Sequence, residues 1–204
     1  MEIQSLKIAN SFVVTPQLHR DDRGVFLEWY RADELQDAVG HALNLRQANS
    51  SVSRKGVVRG IHFAQLYPGQ AKYVTCPFGA VLDFVVDLRV GSPTFGEWES
   101  VILDDVDRRA AYLAEGLGHA FVSLTENAVV NYLVSDVFRP EREHGITPLD
   151  AAIGLTFPGD IGELSLSEKD TAAPTLEDLM ESGLLPTWDD TQAFYATLRA
   201  ESGN

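Results

Sequence analysis

Short segments in which apolar and polar residues alternate follow one another along most of the chain. Glycine, proline, asparagine and aspartate separate them at intervals of about 8–12 residues, the spacing typical of a β-sandwich or barrel. The strongest strand signal is AVLDFVVDLRV at 80–90. Further strands are predicted in GVFLEWY, KGVVRGIHF, AKYVTC, EWESVIL, AAYLAE, GLGHAFVSL and AVVNYLVSDVF. The pattern therefore predicts an all-β core.

A long helical period does not interrupt residues 43–138, so a βαβ architecture is not expected. A jelly roll of two packed sheets fits the strand spacing best. The sequence predicts one domain over 1–204, with a β core at about 19–172 and a helical tail at about 174–200.

Helices are predicted only at the margins of this core. A short one runs from about Asp33 to Gly40. The tail begins with PTLEDLMESGLLP, where Thr175 can act as the cap and Asp178, three residues later, completes a capping box. A terminal helix follows in DDTQAFYATLRAES.

The charge of the chain is strongly acidic. Sixteen basic residues against thirty acidic ones give a formal net charge of −14. This balance argues against a general surface for nucleic acid or anionic membranes. A phosphate ligand is still compatible with it, and we then expect the positive charge to gather in one cleft.

No stretch approaches about 18 consecutive apolar residues, so no membrane-spanning helix is expected. The N-terminus, MEIQSLKIANSF, has no basic segment followed by an apolar run, and a secretory signal is not expected either. A cytoplasmic location is predicted. The single cysteine, Cys76, excludes an intramolecular disulfide and lies in a predicted strand, where we expect a buried, inert thiol.

The candidate chemistry concentrates in VRGIHFAQLYPGQAK, residues 58–72. A guanidinium (Arg59), an imidazole (His62) and an ammonium (Lys72) within this segment suit an anionic substrate and proton transfer at carbon. A metal site is not predicted, because a β-barrel metal site usually pairs two histidines and a nearby carboxylate, and Gln65 is a poor substitute.

Five histidines occur, and two of them stand out. His62 and His119 lie in strand-like segments beside glycine, which permits close approach of a ligand or of backbone. We expect His19, His41 and His144 to be structural or at the surface.

Two further features have two interpretations each. Tyr132 in the strand VVNYLV is either a proton donor facing the base or a core residue with a satisfied hydroxyl. Gln47 and Asn49 either aim at one face of a binding strand or belong to an exposed edge strand.

Taken in order, several blocks resemble the dTDP-4-dehydrorhamnose 3,5-epimerases, which act on dTDP-4-keto-6-deoxyhexoses. The blocks are DDRGVFLEWY, LRQANSSVS, GVVRGIHF, PGQAKYV, VLDFVVDLRVGSPTFGEW, GLGHAF, NYLVS and SEKD, spread over residues 19–172. The resemblance implies a cupin-type double-stranded jelly roll without metal or other cofactor. It also implies a homodimer that exchanges N-terminal strands, and epimerisation through an enolate.

Carried over by motif, four residues would perform the chemistry. His62 would be the base that removes the proton beside the C4 ketone, and Asp170 of SEKD would orient it. Tyr132 would return a proton to the opposite face, and Lys72 would stabilise the enolate oxygen.

The resemblance also implies a set of substrate-binding residues. Phe138 would stack on thymine, and Asp83 would pair with His119 near the sugar. Arg23, Phe26 and Glu28 would reach the site of the partner subunit. The nucleotide side would use Arg23, Glu28, Gln47, Asn49, Arg59, His119, Glu143 and Lys169.

The chain departs from the family pattern at Ala64, at Phe138 (where a tyrosine is commoner), after Glu143, and in its helical tail. These departures are typical of the antibiotic-sugar branch, so inversion at C3, at C5 or at both stays open. The alternatives are a cupin 3,4-ketoisomerase on the same substrates, a sugar-nucleotide-binding module without catalysis, and a metal-dependent cupin oxygenase.

Overall fold

The computed structural model describes residues 1–203, and strands dominate it. The strands are β1 (Glu2–Ser5), β2 (Ser11–Thr15), β3 (His19–Asp21), β4 (Gly24–Phe26), β5 (Gln47–Ser53), β6 (Val58–Ala64), β7 (Lys72–Phe78), β8 (Ala80–Asp87), β9 (Trp98–Asp104), β10 (Ala110–Leu113), β11 (Leu117–Ser123), β12 (Ala128–Val134) and β13 (Glu143–Gly145). The helices are α1 (Ala32–Val39), α2 (Glu168–Thr171), α3 (Leu176–Glu181) and α4 (Trp188–Ser202).

Two antiparallel sheets form the body of the protein. The first has the strand order β1-β2-β10-β7-β12-β5, and the second has β13-β6-β11-β8-β9. Strands β3 and β4 pair separately as a hairpin. The alternating crossovers between the two sheets are those of a jelly roll, so the predicted all-β, cupin-type fold is confirmed.

Side chains from both sheets meet in a central core. Val74, Cys76 and Val130 project from the first sheet, and Val81, Val85 and Phe121 from the second. The interior strand β8 is buried on both faces, because its alternate residues Phe84 and Val86 belong to a separate apolar cluster. This explains why the strand reads as an almost continuous apolar run rather than a strict alternation.

Helices and loops of the chain cover part of the outer face of each sheet, whereas Val52 on β5 is 60% exposed. Helix α3 contributes Leu176 and Leu179 to the cluster on the second sheet. Helices α1 and α4 cover the first sheet, where Leu35 and Tyr195 pack against Tyr73.

The helix caps follow the sequence closely. Thr175 and Asp178 form the predicted capping box, and Gly40 ends α1 in the left-handed conformation. Elements that the sequence pattern did not predict include β3 at 19–21, β13 at 143–145 and the single-turn helix α2 within SEKD. The predicted strand GVFLEWY ends early, at Phe26. None of the helices within residues 1–203 is long and apolar enough to cross a bilayer.

Candidate active site

A cavity of about 380 Å³ opens between the two sheets at one end of the sandwich. Strands β5, β7 and β12 of the first sheet supply one wall, and β6, β11 and β13 of the second supply the other. Its lining comprises Gln47, Asn49, Ser50, Ser51, Arg59, His62, Gln70, Lys72, His119, Phe121, Tyr132, Val134, Phe138, Glu143, His144 and Lys169.

His62 lies on β6 and is oriented by a carboxylate from far along the chain. Its Nε2 lies 2.6 Å from Oδ1 of Asp170, which belongs to α2 and is 5% exposed. Burial opposes ionisation of Asp170, but the hydrogen bond and charge of His62 hold its pKa below the ordinary value. An ionised carboxylate only accepts hydrogen bonds, so Nε2 carries the proton and Nδ1 is left with a free lone pair.

A bulge at Gly60 brings Arg59 and His62 to the same face of β6. The register shifts by one residue between the pairs His62 with His119 and Arg59 with Phe121. Gly60 has φ +117°, and a Cβ there would lie 2.5 Å from the carbonyl oxygen of His119. Only glycine fits this close approach, and the extra residue turns both functional side chains into the cavity.

A second histidine–aspartate pair lies beside the first. His119 on β11 is opposite His62, and its Nε2 lies 2.7 Å from Oδ2 of Asp83 on β8. Both residues of this pair are buried, His119 at 5% and Asp83 at 0% exposure. The ring of His119 also meets that of Tyr132 edge-on, with 5.8 Å between centroids.

Tyr132 and Lys72 approach the cavity from the first sheet. Burial raises the pKa of Tyr132, so its phenol stays protonated near neutral pH. The Lys72 Nζ donates to the carbonyl oxygen of His62 at 3.2 Å. Burial lowers the pKa of Lys72, while the charges of Glu143 and Asp83 oppose that shift. The wall that faces His62 thus offers a phenol and an ammonium.

Three cations line this cavity, against one carboxylate, Glu143. They are Arg59, Lys72 and Lys169. Arg59 is held by a bond from its Nε to Ser53 Oγ at 3.2 Å. On a chain with a net charge of −14, this is the local concentration of positive charge that the sequence predicted.

The amides and the aromatic ring expected to hold the nucleotide meet at the rim. Gln47 Nε2 donates to Asn49 Oδ1 at 2.7 Å, and Gln47 Oε1 accepts from the backbone N–H of Phe138 at 2.9 Å. The Phe138 side chain is exposed, so its ring face is free to stack. The arrangement favours the binding-strand interpretation of residues 47–53.

The family model described as dTDP-4-dehydrorhamnose 3,5-epimerase matches residues 5–178. The chain belongs to this family. It is 51% identical to the dTDP-4-dehydrorhamnose 3,5-epimerase of Mycolicibacterium smegmatis over 98% of both chains. It is also 50% identical to a dTDP-4-dehydrorhamnose 3-epimerase of Streptomyces niveus, over 95% of this chain and 92% of that one.

Solved structures agree with this assignment. The rmlC epimerase of Mycobacterium tuberculosis superposes with a TM-score of 0.95 at 49% identity, covering 97% of this chain and all of that one. The 3'-monoepimerase ChmJ of Streptomyces bikiniensis, in complex with dTDP-quinovose, superposes with a TM-score of 0.92 at 45% identity, covering 96% and 98%. Family relatives thus include enzymes that invert one carbon and enzymes that invert two.

Three residues that the family resemblance assigned to the substrate lie away from the cavity within one chain. Arg23 lies in the turn of the β3–β4 hairpin, where its side chain is 89% exposed and pairs with Asp21 at 2.5 Å. Phe26 pairs with His19 at the other end of the hairpin and is also exposed. Glu28 is exposed and faces Arg31. Because the family pattern assigns them to a partner's site, their position in a single chain leaves that prediction open.

The sequence missed several lining residues of this epimerase-family site. Ser51 shares a strand face with Asn49, so the two-residue period of β5 was an available signal. Gln70 donates to the carbonyl oxygen of Asp136 and lies 3.5 Å from Glu143. His144, expected to be structural or at the surface, lines the cavity, because the unpredicted strand β13 pairs with β6.

The remaining ligand-type side chains have other surroundings. Among the described residues, no group of three His, Cys, Asp or Glu side chains has the geometry to hold a metal ion. Cys76 is fully buried, as expected, and burial raises its pKa to about 12. A thiol of that pKa is not a nucleophile near neutral pH.

Proposed function

We propose that this protein is an epimerase that inverts C3, alone or together with C5, of dTDP-4-keto-6-deoxy-D-glucose. The observation that carries the proposal is the oriented base on one wall, His62 with Asp170, facing a protonated phenol, Tyr132, on the other. Inversion at carbon needs removal of a proton from one face and return of a proton to the other. A module that only binds nucleotides has no need of this opposition.

The first step is removal of the C3 proton by Nδ1 of His62. The electron pair of the broken C–H bond forms the C3–C4 double bond, and the C4 carbonyl becomes an enolate oxygen. Asp170 stabilises the resulting imidazolium, and Lys72 donates to the enolate oxygen. The buried position of Lys72 strengthens this interaction, because little water competes for it.

The second step returns a proton to C3 on the opposite face. Tyr132 supplies it, the C4 carbonyl reforms, and solvent restores the phenol and the free base. Removal of the C5 proton follows the same chemistry, since C5 is also adjacent to the ketone. The balance of atoms requires no oxidant, reductant or metal.

The nucleotide binds at the basic rim in this proposal. Arg59, His119 and Lys169 hold the diphosphate, and Phe138 stacks on thymine between Gln47 and Asn49. Glu143 completes the binding set. Arg23, Phe26 and Glu28 act on the partner's site in a homodimer that exchanges N-terminal strands. The 67% exposure of Phe26 supports this, because burial of an exposed aromatic ring against a partner subunit is favourable.

Proton NMR in heavy water with the 4-keto-6-deoxyglucose nucleotide tests the proposal. We expect the C3 proton signal to disappear as deuterium enters, with or without loss of the C5 signal. Tyr132→Phe should keep exchange but lower the yield of inverted product by about 10²-fold. Absence of exchange at both carbons would contradict epimerisation, and a product with its carbonyl at C3 would indicate the ketoisomerase instead.

A further inference from the structure

The C-terminal helix contacts the loop that joins the two catalytic strands. Residues 65–71 connect β6, which carries His62, to β7, which begins with Lys72. In this loop the Tyr67 hydroxyl donates to the carbonyl oxygen of Asp190 at 3.1 Å. The Tyr67 ring meets Phe194 of α4 edge-on, with 5.3 Å between centroids. Helix α4 thus holds the loop that connects the strand of His62 to the strand of Lys72.

Ser135 fixes the end of this loop next to Lys72. The N–H of Ala71 donates to Ser135 Oγ at 2.8 Å, and the N–H of Ser135 donates to the carbonyl oxygen of Ala71 at 3.1 Å. Both polar groups of the residue before Lys72 are therefore held by one residue beyond the end of β12. The serine hydroxyl extends the strand ladder where the backbone pairing stops.

Glu115 accepts a hydrogen bond from the hydroxyl group of Ser135. Ser135 Oγ donates to Glu115 Oε1 at 3.1 Å, in a side chain that is only 4% exposed. The second oxygen, Oε2, has no hydrogen-bond partner within residues 1–203. Tyr195 of α4 donates its hydroxyl to the backbone carbonyl of Glu115. Gly69 leaves no room on the other side, since a Cβ there would lie 2.8 Å from Glu115 Cβ.

A carboxyl group in this place needs a reason beyond packing. A buried carboxyl costs free energy where its oxygens are not hydrogen-bonded, and Oε2 of Glu115 has no partner among the described residues. Burial raises the pKa of Glu115 to about 7. Glu115 and Ser135 line a cavity of about 660 Å³ beside α4, distinct from the one that holds His62. Ser135 is connected to Lys72 through its two hydrogen bonds with Ala71.

We propose that Ser135 and Glu115 are positioning residues for Lys72, with helix α4 as the support that holds them and loop 65–71 in place. The inference rests on the proposed function, because it assigns them to the enolate-stabilising lysine. Neither touches the substrate cavity. Their loss displaces the ammonium relative to His62 while the nucleotide-binding rim stays intact.

The kinetic test separates kcat from KM. Ser135→Ala and Glu115→Leu should each lower kcat for deuterium incorporation about 10-fold or more, since small displacements of a catalytic group have effects of this size. KM for the sugar nucleotide should stay within about two-fold, because the rim is unchanged. Glu115→Gln should restore kcat, since its amide oxygen still accepts from Ser135.

Val81→Ala is the matched control, because it removes buried methyl groups from the central core away from the loop. A second readout is the ¹³Cε resonance of Lys72 in a chain labelled at its four lysines. We expect this resonance to shift in Ser135→Ala and not in Val81→Ala.

Unchanged kcat in Ser135→Ala and Glu115→Leu would overturn the inference. An equal decrease in kcat in the Val81→Ala variant, at the same melting temperature, would also overturn it. If the wild type exchanges no deuterium, the proposed function fails separately. The Lys72 resonance then decides, because a shift specific to Ser135→Ala supports positioning and its absence refutes it.

Discussion

Two histidine–aspartate pairs lie side by side in this protein, and their surroundings differ. His62 and His119 occupy opposite positions on β6 and β11, with Nε2 at 2.6 and 2.7 Å from their respective carboxylates. The His62 side chain is 36% exposed, whereas that of His119 is 6% exposed and that of Asp83 is fully buried. The two pairs thus have nearly identical contacts, but the ring of His62 is accessible and the ring of His119 is enclosed.

In the proposed mechanism, exposure rather than pairing separates the base, His62, from the fixed donor, His119. Proton abstraction requires a ring nitrogen that reaches the substrate carbon, and the free Nδ1 of His62 meets that requirement. An enclosed ring whose position is set by two neighbouring strands is better suited to hold a phosphate or hydroxyl oxygen. Variants of the two pairs test whether His62 acts on kcat and His119 on KM.

The largest effect is expected from removing the two rings in turn. His62→Ala should lower deuterium incorporation by about 10³-fold or more, the contribution of a positioned general base. His119→Ala should act mainly on KM and lower kcat by less than about 10-fold. NMR exchange rates and steady-state kinetics on both variants check this. Equal losses of kcat would show that the two pairs share the proton transfer.

Replacing the orienting carboxylate comes next. Asp170→Asn keeps the shape of the side chain but allows the amide to donate, which favours the wrong tautomer of His62 and should lower kcat on the order of 10²-fold. The depressed pKa of Asp170 also predicts a stability effect. Its contribution is present above the unfolded value near 3.8 and is lost as pH falls through the lower folded value.

The variant should therefore lose less stability than the wild type between pH 5 and pH 2. Urea unfolding at several pH values measures this difference. A parallel loss in both chains would mean that Asp170 is not held ionised by His62. It would also weaken the assignment of the free lone pair to Nδ1.

The sandwich and the candidate residue His62 were predictable from the sequence, whereas the pairing of His62 with Asp170 was not. The apolar run of β8 and the turns around it identify the sandwich, because burial on both faces leaves a direct trace in composition. The contact between His62 and Asp170 spans 108 positions and left no local signal. Only the family resemblance linked them.

The bulge at Gly60 was also beyond local pattern. Strict alternation would send Arg59 and His62 to opposite faces, and the inserted residue appears only in the pairing of β6 with β11. Likewise β13 forms from a polar segment, EHG, because β6 offers it a free edge. Tertiary pairing of this kind overrides propensity.

A smaller effect is expected at the enclosed pair. Asp83→Asn should raise KM about 3- to 10-fold and leave kcat within about two-fold, because His119 loses a charged acceptor but keeps its place between the strands. The free energy of unfolding should fall by about 1–2 kcal/mol. Steady-state kinetics and urea unfolding check both values. A loss of kcat as large as that of Asp170→Asn would contradict the comparison.

The buried carboxyl of Glu115 extends the comparison, because it accepts a hydrogen bond from Ser135 where Asp170 and Asp83 pair with a histidine. Its pKa is raised by burial to about 7, so the folded protein binds a proton there more tightly than the unfolded chain does. Stability then falls as pH rises from about 4.5 to about 7, and the penalty stays constant above that. Glu115→Gln removes the charge and should increase the free energy of unfolding by about 3 kcal/mol at pH 8, but by less than about 1 kcal/mol at pH 5. Urea unfolding at the two pH values measures this, and a gain that is equal at both would show that burial does not raise the pKa of Glu115 above its value in the unfolded chain.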